Sequence, residues 1–102
     1  MSKNRDRLSI IAAILEAAST GKSKTRIMYE ANLSFKLLEK YLDYVLDAGF
    51  VRVDDSRYSL TESGCEYLKK YRSFNEKYFR LQNAIAELTH ERSQLTRIVS
   101  NS

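Results

Sequence analysis

The stretch from Thr61 to about Val99 limits this chain more than any other feature, because it carries no signal that would break a helix. Thr61 can cap it, and apolar residues then recur in a seven-residue pattern. With a positions at Tyr71, Tyr78, Ile85, Arg92 and Val99, the d positions are Phe74, Leu81, Leu88 and Leu95. Eight of these nine positions are apolar or aromatic over four heptads, which is the length a coiled coil asks for. Such a helix would extend about 50–60 Å at the standard rise, farther than a small domain can cover. Its distal half is therefore expected to pair with another chain. Tyr67, Tyr71 and Tyr78, at helical spacing, read as seam and domain packing.

The remainder is short. The chain has 102 residues, 43% hydrophobic and 29% charged, a globular mixture with room for one domain and an appended element. It has no proline and only 3 glycines, which argues against the many tight turns of a β-sandwich. One cysteine excludes a disulfide framework within the chain and a multi-cysteine metal site, and one histidine excludes a histidine-based one. The longest apolar run, Ile10 to Leu15, is too short to cross a bilayer, and no signal-peptide pattern precedes it. The expectation is a soluble, cytoplasmic protein with no cofactor and no membrane partner.

From Arg5 to Ser19 the residues Leu8, Ile11, Leu15 and Ala18 recur at three- and four-residue spacing, widened by Ile10, Ile14 and Ala17. This predicts an amphipathic helix ended by Thr20 and Gly21. Ser23 can cap a short second helix to about Ala31, with Ile27, Met28 and Ala31 inward. Asn32 tolerates the left-handed turn. Ser34 then caps a third helix, Phe35 to Ala48, with Leu38, Tyr41, Leu42, Val45 and Leu46 inward, ended by Gly49. The period next changes to alternation. Phe50 to Val53 and Arg57 to Leu60 predict a hairpin about Asp54, Asp55 and Ser56, offering Val51, Val53, Tyr58 and Leu60 to the core.

Helix, short helix, turn, helix, hairpin, helix is the winged helix-turn-helix order. In that arrangement the third helix presents one face to the DNA major groove. The fold class expected is mainly α (α+β), with residues 1–66 as the winged domain and 67–102 as a dimerisation helix. At 100° per residue, Lys36, Lys40, Asp43 and Asp47 point outward on helix three, with Tyr44 and Glu39 on its flanks. Cations in its first turns and acids in its last oppose the helix dipole, an order that suits an amino-terminal end approaching phosphates. The charge distribution agrees. Residues 1–40 carry eight Lys/Arg against four acids, whereas residues 41–102 carry nine of each, so the whole excess lies early in the chain and suggests a polyanion. The expected contacts are Lys3, Arg5 and Arg7 on a flexible arm, Lys22, Lys24 and Arg26 at the start of helix two, Ser34, Lys36 and Lys40 on helix three, and Arg52 and Arg57 on the hairpin. Asp54 and Asp55 would repel phosphate from the wing tip.

The stretch from Ile14 to Gly64, with ILEAA, TRIMYEANLSFKLLEKYLDYVLDAGFV and RYSLTESG, resembles the Sulfolobus ten-a family of archaeal chromatin-type DNA-binding proteins, and the heptads that follow are similar to that family's dimerising helix. The resemblance implies a winged-helix protein that binds double-stranded DNA with little sequence specificity. It also implies an archaeal, nucleoid-associated setting and a homodimer formed through an antiparallel coiled coil.

The seam fits an antiparallel register. Leu81 then meets the partner's Ile85, Tyr78 the partner's Leu88, Tyr71 the partner's Leu95 and Tyr67 the partner's Val99. Arg92 lies on the partner's Phe74 ring, and Ala84 faces the partner's Ala84. A parallel pair would stack Arg92 on Arg92 in the seam, burying like charges. Enzymatic readings fail on simple grounds. Gly21-Lys22-Ser23 mimics the end of a phosphate-binding loop but lacks its first glycine, Glu16 occupying that place, and follows a helix. Cys65 and His90 would lie about 37 Å apart on one helix, too far for a nucleophile and its base. Two other functions share the pattern: a repressor reading a palindrome, and an interaction module binding an acidic partner.

Overall fold

A computed structural model describes residues 5–101. The elements run α1 (Arg7–Ala17), α2 (Lys24–Glu30), α3 (Phe35–Asp47), β1 (Val51–Asp54), β2 (Arg57–Leu60) and α4 (Glu62–Ser100). The order is the one expected from the sequence. Contacts divide the chain into two compact units, with the boundary after Tyr71.

In the first unit each short helix starts at a side-chain cap. Asp6 accepts from the Ser9 amide at 2.8 Å, Ser23 from Arg26 at 3.3 Å and Ser34 from Leu37 at 3.2 Å, occupying donors that no helical carbonyl can reach. Asn32 makes the turn between α2 and α3 at φ 56°, and the Leu33 amide returns to the Met28 carbonyl at 3.1 Å. β1 and β2 pair antiparallel, Val51 opposite Leu60 and Val53 opposite Tyr58, around Asp55 and Ser56 at φ 53° and 64°. Positive φ at both central residues matches the twist of a hairpin. One further pairing was not visible in the sequence. Lys22 and Tyr58 donate to each other's carbonyls at 2.9 and 2.8 Å, so the segment before α2 joins the edge of β2.

The core gathers Ile10, Ile11, Ile14, Leu15 and Ala18 with Ile27 and Ala31 of α2, Leu38, Leu42 and Val45 of α3, Val51 and Leu68. α1 is buried on most of its circumference and not on a single stripe. Leu8, expected on that stripe, is 45% exposed because it occupies the first turn, at the edge of the packed layer. Val53, expected in the core, is 50% exposed because it sits near the hairpin tip, while Val51 at the base is buried. The first turns of α4 close the unit. Thr61 donates its hydroxyl to the Gly49 carbonyl and caps the Gly64 amide at 3.1 Å, and its own amide bonds to the Phe50 carbonyl at 3.0 Å. Gly64 is buried, and a Cβ built there would lie 2.0 Å from the Phe50 carbonyl oxygen.

In the second unit α4 continues as a regular helix. Arg80 pairs with Glu76 at 3.1 Å, the Phe74 and Tyr78 rings stack at 6.2 Å, and Gln82 donates to the Tyr78 hydroxyl at 3.0 Å. Its seam residues Phe74, Tyr78, Leu81, Ile85, Leu88, Leu95 and Val99 are all exposed. No helix among the described residues is long and apolar enough to cross a membrane.

Candidate nucleic-acid interface

α3 turns Leu38, Leu42 and Val45 inward, and this fixes what it offers to solvent. Lys36, Lys40, Asp43 and Asp47 are exposed on the outer face, as the helical spacing predicts. The Lys40 ammonium lies 5.4 Å from the centre of the Tyr41 ring. Lys36, Lys40 and Arg52 have no ion pair among the described residues.

The cations of α2 are held differently. Lys24 pairs with Glu39 of α3, Arg26 with Glu30 at 3.0 Å, and Lys22 with Glu30 at 3.5 Å. The Arg26 hydrogen bond, with Lys22 nearby, holds the Glu30 carboxyl below its ordinary range. Glu39 raises Lys24 above the usual lysine value in the same way. Lys22 and Lys24 are half-buried and Arg26 is exposed, so all three remain in contact with solvent, where an external phosphate can compete for them.

Two arginines expected on a flexible arm are tied down. Arg5 donates to the Ala31 and Asn32 carbonyls at 2.9 and 3.1 Å, which locks it against the end of α2 because those carbonyls lack helical partners. Arg7 is the first residue of α1, and its guanidinium lies 4.6 Å from the Tyr44 ring centre. With Lys40 and Tyr41 these two residues line a cleft of about 240 Å³. Lys3 falls outside the described residues. On the hairpin, Arg57 donates to the Gly21 carbonyl at 3.1 Å, and Arg52 is exposed. Ser34 spends its hydroxyl oxygen on capping α3.

Sequence reasoning missed the neutralising role of Glu30 and Glu39. Glu30 follows Arg26 by one helical turn, a spacing that signals an ion pair. Glu39 reaches Lys24 only through the folded turn, so no local pattern could announce it. Phe35 was also missed. It is the first residue of α3, 59% exposed, with the Lys24 ammonium 5.3 Å from its ring centre. Tyr67 and Tyr71, counted in the heptad seam, are half-buried against the core of the first unit, and the Tyr67 ring lies 4.9 Å from that of Phe50.

Three helices, a capped turn and a two-stranded wing define a winged helix-turn-helix protein. Residues 4–79 match the family model of that description, and the chain belongs to the winged helix-turn-helix family, which is typically non-enzymatic. It is 42% identical over 81 residues to the uncharacterized protein MJ0290 of Methanocaldococcus jannaschii, aligning 78% of this chain but spanning only 36% of that relative. It is 34% identical over 90 residues to MJ0287 of the same organism, covering 81% of this chain and 89% of that one. Among solved structures, it is similar to Sso10a-2, a DNA-binding protein from Sulfolobus solfataricus, with a TM-score of 0.65 at 23% identity over 82% of this chain and 96% of that one. Lactococcus lactis ZitR matches with a TM-score of 0.60 at 15% identity, over 83% of this chain and 63% of that one.

Proposed function

We propose that this protein binds double-stranded DNA through α3 and its surroundings, without a strong sequence preference, as an architectural protein of an archaeal nucleoid. The observation that carries this reading is the outer face of α3, where Lys36 and Lys40 form no ion pair among the described residues, in the element that a winged helix presents to a major groove. The fold-level likeness to a Sulfolobus DNA-binding protein supports it. Arg26, Lys24, Lys22, Arg52 and Arg57 surround that face and position the duplex by its phosphates. Arg5 and Lys3 add charge at the chain's start.

The second part of the proposal is assembly. Residues 1–66 form the DNA-binding part, and residues 67–102 join two chains in an antiparallel coiled coil. Seven seam residues between Phe74 and Val99 are each at least half exposed in the single chain. A soluble helix rarely leaves a stripe of that length to water unless a partner covers it. Ala84 and Arg92 complete the seam.

The experiment is duplex binding at several salt concentrations, on random and palindromic sequence. Replacing Lys36 and Lys40 together with Ala should weaken binding equally on all duplexes. The slope of log K against log salt should flatten by about 0.9 for each phosphate that is no longer neutralised. An unchanged slope in the folded double variant removes α3 from the interface, and strong preference for one sequence converts the reading into a site-specific regulator.

A further inference from the structure

The amino end of α3 holds a side chain that phosphate binding does not use. Phe35 is the helix's first residue, immediately after the Ser34 cap, and 59% of its surface is exposed. Residues at the amino end of a recognition helix are those that reach base edges in the major groove. The flanking groups are charged: the Lys24 ammonium, shared with Glu39, lies 5.3 Å from the ring centre, and the exposed Lys36 follows in the chain. A partner suited to this spot offers an anionic group to Lys36 and something apolar to the ring. The major groove of DNA offers one such apolar group, the C5-methyl of thymine, and phenylalanine is among the side chains that pack against it.

We infer that Phe35 reads thymine methyl groups in the major groove, giving an otherwise phosphate-driven binder a preference for thymine-containing or cytosine-methylated duplexes. The inference rests on the DNA-binding reading above. The ring can neither donate to nor accept from a base edge, so the signal is the methyl group alone and not the order of bases. Phe35 lies outside the core, and its contact within the chain is the exposed one with Lys24, so most of its ring is left for a partner.

The test compares one duplex in three forms: with thymine, with every thymine replaced by deoxyuridine, and with the deoxyuridine form carrying 5-methylcytosine. Only methyl groups change. The wild-type protein should lose about fourfold in affinity for each buried methyl removed, and the third form should recover part of the loss where a methylcytosine falls beneath the ring. In Phe35→Ala, folded as judged by circular dichroism, the thymine and deoxyuridine duplexes should bind equally. Comparing the two proteins on the two duplexes isolates the ring–methyl interaction from any change in duplex shape. Equal wild-type affinity for thymine and deoxyuridine duplexes overturns the inference while leaving DNA binding in place. A difference that persists in Phe35→Ala overturns the role of Phe35. Failure of every duplex to bind overturns the DNA-binding reading itself.

Discussion

Gly64 sits where the first turn of α4 crosses the backbone of Phe50. A methyl group there would lie 2.0 Å from the Phe50 oxygen and 2.9 Å from its carbonyl carbon, and backbone cannot swing aside as a side-chain tip can. Overpacking of this kind costs about 1–3 kcal/mol, so Gly64→Ala should lower the melting temperature by roughly 10 °C. An unchanged melt would mean that α4 does not approach the hairpin so closely. Tyr67 and Tyr71, one and two turns further along, respond to pH. Burial raises both phenols above their ordinary value, helped at Tyr67 by Tyr44 and at Tyr71 by Asp6. The folded chain thus holds these protons more tightly than the unfolded one. Their contribution is complete below about pH 10 and is lost as pH rises through the folded-state values. The denaturant midpoint should fall as pH rises past about 10, and Tyr67→Phe with Tyr71→Phe should flatten that fall. An identical pH profile in the double variant would show that neither phenol is shielded.

At the scale of elements, what could be read from the sequence was what is local. Ser23, Ser34 and Thr61 announce their helices because a cap acts within three residues. Asn32 announces its turn, and the change of period at Phe50 announces the hairpin. What could not be read joins distant segments: the Lys22–Tyr58 bridge, the Arg5 bonds to the end of α2, and the Lys24–Glu39 pair. For the same reason the candidate site was legible as a list of cations but not as a charge balance. Lys36 and Lys40 face outward as their spacing requires, whereas Arg26 answers to an acid one turn along its own helix, and Lys22 and Lys24 to acids that the fold brings near. This arrangement predicts a gain of function. Glu39→Gln should release Lys24, raise duplex affinity and steepen the salt slope by up to about 0.9 per protomer. Folding should be unaffected, since an exposed pair contributes little to stability. Unchanged affinity would place Lys24 away from the phosphates.

For the molecule as a whole, the two units carry separate signatures, which the proposed function reads as separate tasks. The excess positive charge lies in the first forty residues, within the winged unit, while the exposed apolar seam lies in the second. Ile85, 54% exposed at the middle of that seam, is the position where an acid should act on assembly alone. Ile85→Asp should sediment as a monomer and still bind duplex DNA, more weakly for want of a second site; a variant that remains dimeric excludes this seam as the interface. Within the winged unit, the bridge between Lys22 and Tyr58 has a consequence for time rather than for shape. Each residue's amide is held by the other's carbonyl, one from the segment that opens the helix-turn-helix and one from the strand that closes the wing. Neither can exchange its proton with solvent by a local fraying of the hairpin, because the bridge must part first. Opening of the wing at Tyr58 must therefore also part it from the segment before α2, so the Lys22 and Tyr58 amides should share one hydrogen-exchange rate, and exchange of either alone would show that the two parts open separately.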